Sequence, residues 1–221
     1  MTSTKPLKLL HFPASPFVRK VIIVAKEVGV YDKVEIVPVT VQPFATTGIE
    51  KITSFNPLTK IPALDVPGLG PLYGSSVIVQ YLLSIGQKEA SNRILPSLES
   101  PTRFPILTRE ALADGASEAL LLMRFEKFLR PQEKYWAEFY NGQFGKVNRA
   151  LDEMERIQSK KKESLDNGTW NLGDVATLCT LSYADLRFGG VFDWRLGRLA
   201  LKEWFEKEHE SRDSVKTTRL K

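Results

Sequence analysis

NPLTKIPALDVPGLGPLYGSSVIVQYL, residues 56–82, holds three local signals in close succession. IPALDV, residues 61–66, is a short apolar run of strand length bounded by turn residues. The Pro-Gly-Leu-Gly-Pro turn then returns the chain to a brief second strand at Leu72-Tyr73. SSVIVQYLLSI, residues 75–85, is rich enough in β-branched residues for a strand, but its length and its Ser start read as a helix. The stretch is therefore a hairpin closed by a helix. Outward from it, LKLLHF (7–12) is a candidate buried strand, and Pro13, Ser15 and Pro16 punctuate a turn. FVRKVIIVAKEVGV (17–30) has helical spacing at Phe17, Val18, Val21, Ile22, Ala25 and Val28, with Gly29 as a stop. VEIVPV (34–39) reads as a strand whose Pro38 asks for an edge or a strand end. Residues 40–60 are loop-rich, with a short helix near 48–53. The order β-α-β, loop, β-β-α is an α/β layer arrangement.

Beyond residue 86 the character changes. GQKEASNRILPSLESP (86–101) is polar and aperiodic and reads as a linker. Residues 102–128, 132–160 and 172–187 have helical apolar spacing and few strand signals, the pattern of a helix bundle. The expected division is an α/β domain over 1–86, a linker over 87–101 and an all-helical domain over 102–221.

Composition narrows the function classes. The net charge is +5, yet bases and acids are interleaved. The densest cluster, Lys160-Lys161-Lys162 before Glu163, lies in SKKKESLDNG, which reads as a solvated helix end and loop. A nucleic-acid partner is not expected; a mild positive field for small anions is. No run of about 18 apolar residues predicts a membrane span, and MTSTKPLKLLHF lacks a signal peptide's apolar region. One cysteine, Cys179, fits a reducing compartment, so cytoplasm is the expected location. Two histidines and one cysteine, far apart, make no zinc pattern, and neither a phosphate-binding loop nor a dinucleotide fingerprint is present.

Three sites remain as candidates for chemistry. Ser15-Pro16 has the residue types of a capped helix start, and the same geometry aims free N–H groups and the positive helix end at a pocket that would favour a thiolate. Taken alone, the cap is the better reading. Ile61-Pro62 opens a strand. A cis bond there would leave the Ile61 main chain free to pair with a peptide, although only about 5–6% of X–Pro bonds are cis. Gly74-Ser75-Ser76 begins a helix and offers either a carboxylate site or a plain cap. The three fall at corresponding ends of the expected sheet, and a tripeptide thiol with a carboxylate at each end would suit them together.

SPFVRKV, NPLTKIPAL, LYGSSVIVQYL and WNLGDVATLCTLSYADLRF jointly resemble the glutathione transferase superfamily of the Ser type, in its bacterial or fungal flavour, over residues 7–205. The resemblance implies a thioredoxin-like first domain followed by an all-α helical domain. It implies Ser15 as the catalytic hydrogen-bond donor to the glutathione sulfur, Lys60, Ile61, Ser75 and Ser76 as glutathione contacts, and a cis Pro62 holding the loop. It also implies glutathione as co-substrate, no metal, a small apolar electrophile as second substrate, and a homodimer. The implied activity is conjugation, with detoxification or secondary metabolism as its setting. An isomerase or lyase that regenerates glutathione, and a binding protein that kept the fold, are the alternatives. The family's γ-glutamyl motif usually has an acidic or amide residue where this chain has Gly74.

Other residues carry bland expectations. His11, where other classes place a tyrosine, either donates to a thiolate or ends a strand, and the second is the default. Asn171 and Asp174 have capping-box spacing, with Trp170 placed to staple onto Val175. Cys179 is expected to be buried. Glu110, Asp114 and Glu118 line one helix face as a solvated or interface stripe. Phe104, Leu112, Leu120 and Met123 are candidates for a second pocket, and His209 reads as exposed in a charged tail.

Overall fold

The computed structural model describes residues 5–41, 44–163 and 169–220. The chain divides between Ser100 and Pro101 into two compact units and rejoins the first at Thr218. In the first unit the elements run β1 (Leu7–His11), α1 (Pro16–Glu27), β2 (Val34–Pro38), α2 (Glu50–Thr53), β3 (Ala63–Val66), β4 (Gly70–Tyr73), α3 (Ser75–Ile85) and α4 (Lys88–Ile94). The sheet order is β2-β1-β3-β4. β1 is parallel to β2 and antiparallel to β3, and β3 is antiparallel to β4. This is the thioredoxin-like arrangement.

The order follows from what each strand can bury. Leu9 and Leu10 are successive residues of β1 and therefore face opposite sides of the sheet, yet neither touches solvent. A strand covered on both faces belongs in the sheet interior. Pro38 and Pro71 lack the ladder donor, and both sit in edge strands, β2 and β4. Of the spacing read from the sequence, helix α1 buries Val18, Val21, Ile22 and Ala25, its cap residue Val28 is buried as well, and Phe17 is half-buried.

Residues 87–101, expected as linker, are different: Lys88–Ile94 is helix α4, with Ala90, Ser91 and Ile94 buried. Seven residues offer two apolar positions, too few to register as a period. The segment is tied back where the Gln87 N–H donates to the Val28 carbonyl at 3.0 Å. A side chain at Gly86 would meet Val28 Cβ at 2.8 Å, so glycine permits this close approach.

The second unit comprises α5 (Arg103–Arg124), a π-helical turn (Phe125–Leu129), α6 (Ala137–Glu163), α7 (Leu172–Phe188), α8 (Leu199–Ser211) and α9 (Asp213–Lys216). Helix α7 is buried on every side from Leu172 to Ala184. It carries Cys179, which is buried. The Thr180 hydroxyl lies 2.9 Å from both the Ala113 carbonyl and the Ser117 hydroxyl of α5. The charged tail is helix α8: LALKEWFEKEHES buries Leu201, Phe205 and Glu208. His209 is half-buried there and stacks on Phe205 at 5.1 Å, rather than standing exposed.

The capping box is complete. Asn171 Oδ1 accepts from the Gly173 N–H at 3.0 Å, and Asp174 Oδ2 accepts from the Asn171 N–H at 3.2 Å. Asp174 also receives Arg109 Nη2 and, at 2.8 Å, Lys161 Nζ. Lys161 is thus an ion-pair partner and not part of a solvated run; residues 164–168 of that run lie outside the described residues. Trp170 and Val175 are both buried, and the Trp170 ring stacks on Trp204 with the Arg212 guanidinium 4.3 Å from its centre.

Candidate functional site

Strand register determines which loops meet. Leu9 pairs with Leu64 in the antiparallel β1–β3 ladder, so His11, two residues on, is level with Pro62, two residues back. Ala63 pairs with Tyr73, which sets Gly74 and Ser75 at the same end. The turn to Ser15 leaves β1 from that end as well, closed by the Ser15 N–H donating to the Phe12 carbonyl at 3.0 Å. The sheet thus gathers Ser15, Ile61-Pro62 and Ser75-Ser76 at one edge, with His11 beside them.

Ser15 caps α1 in extended conformation, and its Oγ accepts from the Val18 N–H at 3.3 Å. A hydroxyl has one donor and two acceptor positions. Capping uses an acceptor. No acceptor for the Ser15 O–H lies among the described residues, so cap and donor are compatible roles for one atom. Pro16 fixes the first helical position, and the free N–H groups of the first turn add positive potential.

The loop before β3 is built around Asn56, buried to 2% exposure. Its Nδ2 donates to the Lys60 carbonyl at 2.8 Å, and its Oδ1 accepts from the Leu58 N–H at 3.0 Å. Thr59 has φ of 55° within the turn. The Ile61–Pro62 peptide is cis. Ile61 packs its side chain against Leu10, Ile52 and Ala63, and its main chain makes no hydrogen bond among the described residues. The Lys60 side chain is exposed. Asn56 is absent from the residues singled out in the sequence, although an Asn-Pro pair opening a turn is a mark of side-chain-to-backbone bonding.

Gly74 has φ of 86°, a left-handed value suited to glycine, and the positions around its missing Cβ are open apart from Val77 at 3.9 Å. Ser75 begins α3 buried, and Ser76 is half-buried. His11 is half-buried, and burial lowers its pKa from the ordinary 6.5. Burial thus disfavours the charged imidazolium.

The remaining candidates separate. Leu120 and Met123 belong to the helical core, whereas Phe104 is exposed and Leu112 half-buried. The carboxylate face runs from buried Glu110 through half-buried Asp114 to exposed Glu118, so it is not a uniformly solvated stripe. Its slant across α5 follows from 3.6 residues per turn: positions four apart drift around the helix. Among the described residues no group of three or more His, Cys, Asp or Glu side chains could hold a metal, and no helix is long and apolar enough to cross a membrane.

Residues 9–89 match the family model "Glutathione S-transferase, N-terminal domain", and residues 135–207 match "Glutathione S-transferase, C-terminal domain". A glutathione transferase family member from Pseudomonas fluorescens Pf-5, solved with bound glutathione, is 32% identical. The alignment covers 97% of this chain and 99% of that one, with a TM-score of 0.86. The match with bound S-(propanoic acid)-glutathione, also from Pseudomonas fluorescens Pf-5, has 32% identity, 97% and 100% coverage and a TM-score of 0.83. A glutathione S-transferase from Methylobacillus flagellatus KT with glutathione bound is 30% identical over 97% of this chain and 100% of that one, at a TM-score of 0.81. No curated protein matches the sequence.

Proposed function

The chain belongs to the glutathione transferase superfamily, and from that premise we propose that it conjugates the thiolate of glutathione to an apolar electrophile. The observation that carries the proposal is the shared sheet end. A half-buried hydroxyl at a helix N-terminus, an unpaired main-chain stretch at Ile61 and a second helix N-terminus at Ser75 face the parts of one tripeptide. In this reading Ser15 Oγ donates to the sulfur and favours the thiolate. Ile61 pairs with the cysteinyl main chain, Pro62 shapes the turn, Lys60 takes the glycyl carboxylate, and Ser75 with Ser76 takes the γ-glutamyl carboxylate. The thiolate attacks the electrophilic carbon, forming the S–C bond as the leaving group departs or as the adduct takes up a proton. The protein activates a bound nucleophile and forms no covalent bond itself.

The net charge of +5 favours capture of an anionic peptide. The helical unit exposes Phe128, Tyr135 and Trp136, with Trp136 stacked on Phe139 at 5.9 Å. A homodimer in the cytoplasm is part of the proposal, and sedimentation at micromolar concentration tests the dimer.

Gly74 favours a second reading, an isomerase or lyase in which the thiolate adds, the substrate rearranges and glutathione departs. A glycine there gives no side chain to hold the ligand's ammonium, as a specialist with its own binding demands would tolerate. Stoichiometry separates the two. Retention on immobilised glutathione, followed by turnover of an aryl halide and an α,β-unsaturated carbonyl, should consume one glutathione per product. Full recovery of glutathione with product formed selects the isomerase or lyase. A protein that neither binds glutathione nor turns over contradicts both.

A further inference from the structure

The Lys60–Ile61 peptide has no ladder partner, so something else must define its orientation. The Ile61 side chain is anchored in the cluster of Leu10, Ile52 and Ala63. On the other side stands Asn56, fixed at its own main chain by the Ile52 carbonyl at 2.8 Å and by the Thr59 N–H at 2.9 Å. Its Nδ2 holds the Lys60 carbonyl at 2.8 Å. In a trans peptide the C=O and the following N–H point in opposite directions. Only Ile61–Pro62 is cis among the described residues, so pinning the Lys60 carbonyl inward turns the Ile61 N–H outward, away from Asn56.

We propose that Asn56 is a positioning residue for glutathione: through the Lys60 carbonyl it presents the Ile61 N–H to the cysteinyl main chain of the ligand. The inference rests on the reading of Ile61 given above. Asn56 is buried and does not itself touch the ligand. Its contribution is directional, because a free Lys60–Ile61 peptide can rotate its N–H out of register at little cost, and the ligand then bears the ordering cost. The same bond polarises the peptide, since a carbonyl that accepts a hydrogen bond makes its partner N–H the better donor.

The test uses full-length protein with glutathione as the probe, and the variants Asn56→Ala and Asn56→Asp. The aspartate keeps an acceptor for the Leu58 N–H but has no donor for Lys60, so it isolates the bond that matters. Both variants should raise the Kd and KM for glutathione about tenfold, with kcat at saturating glutathione and the pH midpoint of the bound thiolate unchanged. A folded Asn56→Asp with wild-type KM overturns the proposal, as does a loss confined to kcat. Should neither variant fold, the wild-type protein decides by NMR. Saturation with glutathione should shift the Ile61 N–H and the Asn56 side-chain amide together, and an unmoved Asn56 amide beside a shifted Ile61 overturns the inference. Wild-type protein that fails to bind millimolar glutathione refutes the site reading itself, and this inference falls with it.

Discussion

Replacing Ser15 separates two roles of one oxygen. The cap bond to Val18 is 3.3 Å, at the long end of useful geometry, so Ser15→Ala should cost about 0.5–1 kcal/mol of stability, the lower part of the capping range. The bond to the ligand is of another kind. A hydroxyl donating to a thiolate is charge-assisted, and its loss should raise the barrier by about 1.5–3 kcal/mol, slowing conjugation roughly 10- to 150-fold near neutral pH. The bound thiol should lie below its reference of about 8.5 in the wild type and rise by roughly one unit or more in the variant. Ser15→Asp sharpens the test. A carboxylate is a good cap and suits a helix N-terminus, so melting temperature should be equal to or above wild type. It cannot donate and it repels the thiolate, so activity should fall further than in Ser15→Ala. The assays are thermal melts, ultraviolet titration of the bound thiolate, and rate against pH with one electrophile. Raising the pH should recover activity in Ser15→Ala by restoring thiolate, and leave the stability deficit untouched. Superimposable thiolate titrations in wild type and Ser15→Ala, or a Ser15→Asp enzyme at wild-type rate, would refute the donor role and leave Ser15 as a cap.

Asp174→Ala should cost about 2–4 kcal/mol by chemical denaturation, more than a lost cap alone, because Arg109 and Lys161 are left without their shared carboxylate. Asp174→Asn, which keeps the acceptor for the Asn171 N–H, should lose less; equal losses would show that the cap bond adds nothing, and no loss in Asp174→Asn would show that the ion pairs add nothing. Gly173→Ala should destabilise by about 1–3 kcal/mol, since its Cβ would meet Arg109 Cβ at 2.8 Å and the Ile106 carbonyl at 3.2 Å. Gly74→Ala has open space, so its cost of about 1–3 kcal/mol should come from the backbone alone, whose φ of 86° and ψ of 120° lie outside the left-handed helical basin. The His11 pKa is lowered by burial, so as pH falls the unfolded chain takes the proton first. The stability tied to a neutral His11 is present above about pH 6.5 and declines as pH drops through that value toward the folded pKa. His11→Gln should flatten that part of the acid limb in a series of melts; an unchanged slope would mean that the imidazole is solvated.

The elements legible in the sequence are those whose signal is local. SSVIVQYLLSI became helix α3 with the boundaries its Ser start and Gly86 mark out, and Asn171 and Asp174 announced their box because both partners lie within one turn. Where the signal depends on packing, the sequence is silent. KEASNRI has too few apolar residues to register as helix α4 until the Val28 end of α1 is there to receive it. LALKEWFEKEHES hides Leu201, Phe205 and Glu208 among six charged or ionisable neighbours, and it becomes helix α8 because those three find the bundle.

The site shows the same division in finer grain. Ser15, Pro62 and Ser75 were visible as turn and cap chemistry, but whether they converge is a matter of register, and register is a long-range property: Leu9 opposite Leu64 and Ala63 opposite Tyr73. Asn56 escaped because its bonds run to its own loop, where a buried amide looks like any Asn-Pro turn. The choice between cap and donor at Ser15 could not be settled by spacing, because spacing counts residues and a hydroxyl is two things at once. The Val18 N–H takes a lone pair and leaves the proton. A residue selected for starting a helix therefore arrives with its donor unspent, at the positive end of that helix, level with the loop and the second helix that would hold the rest of a thiol peptide.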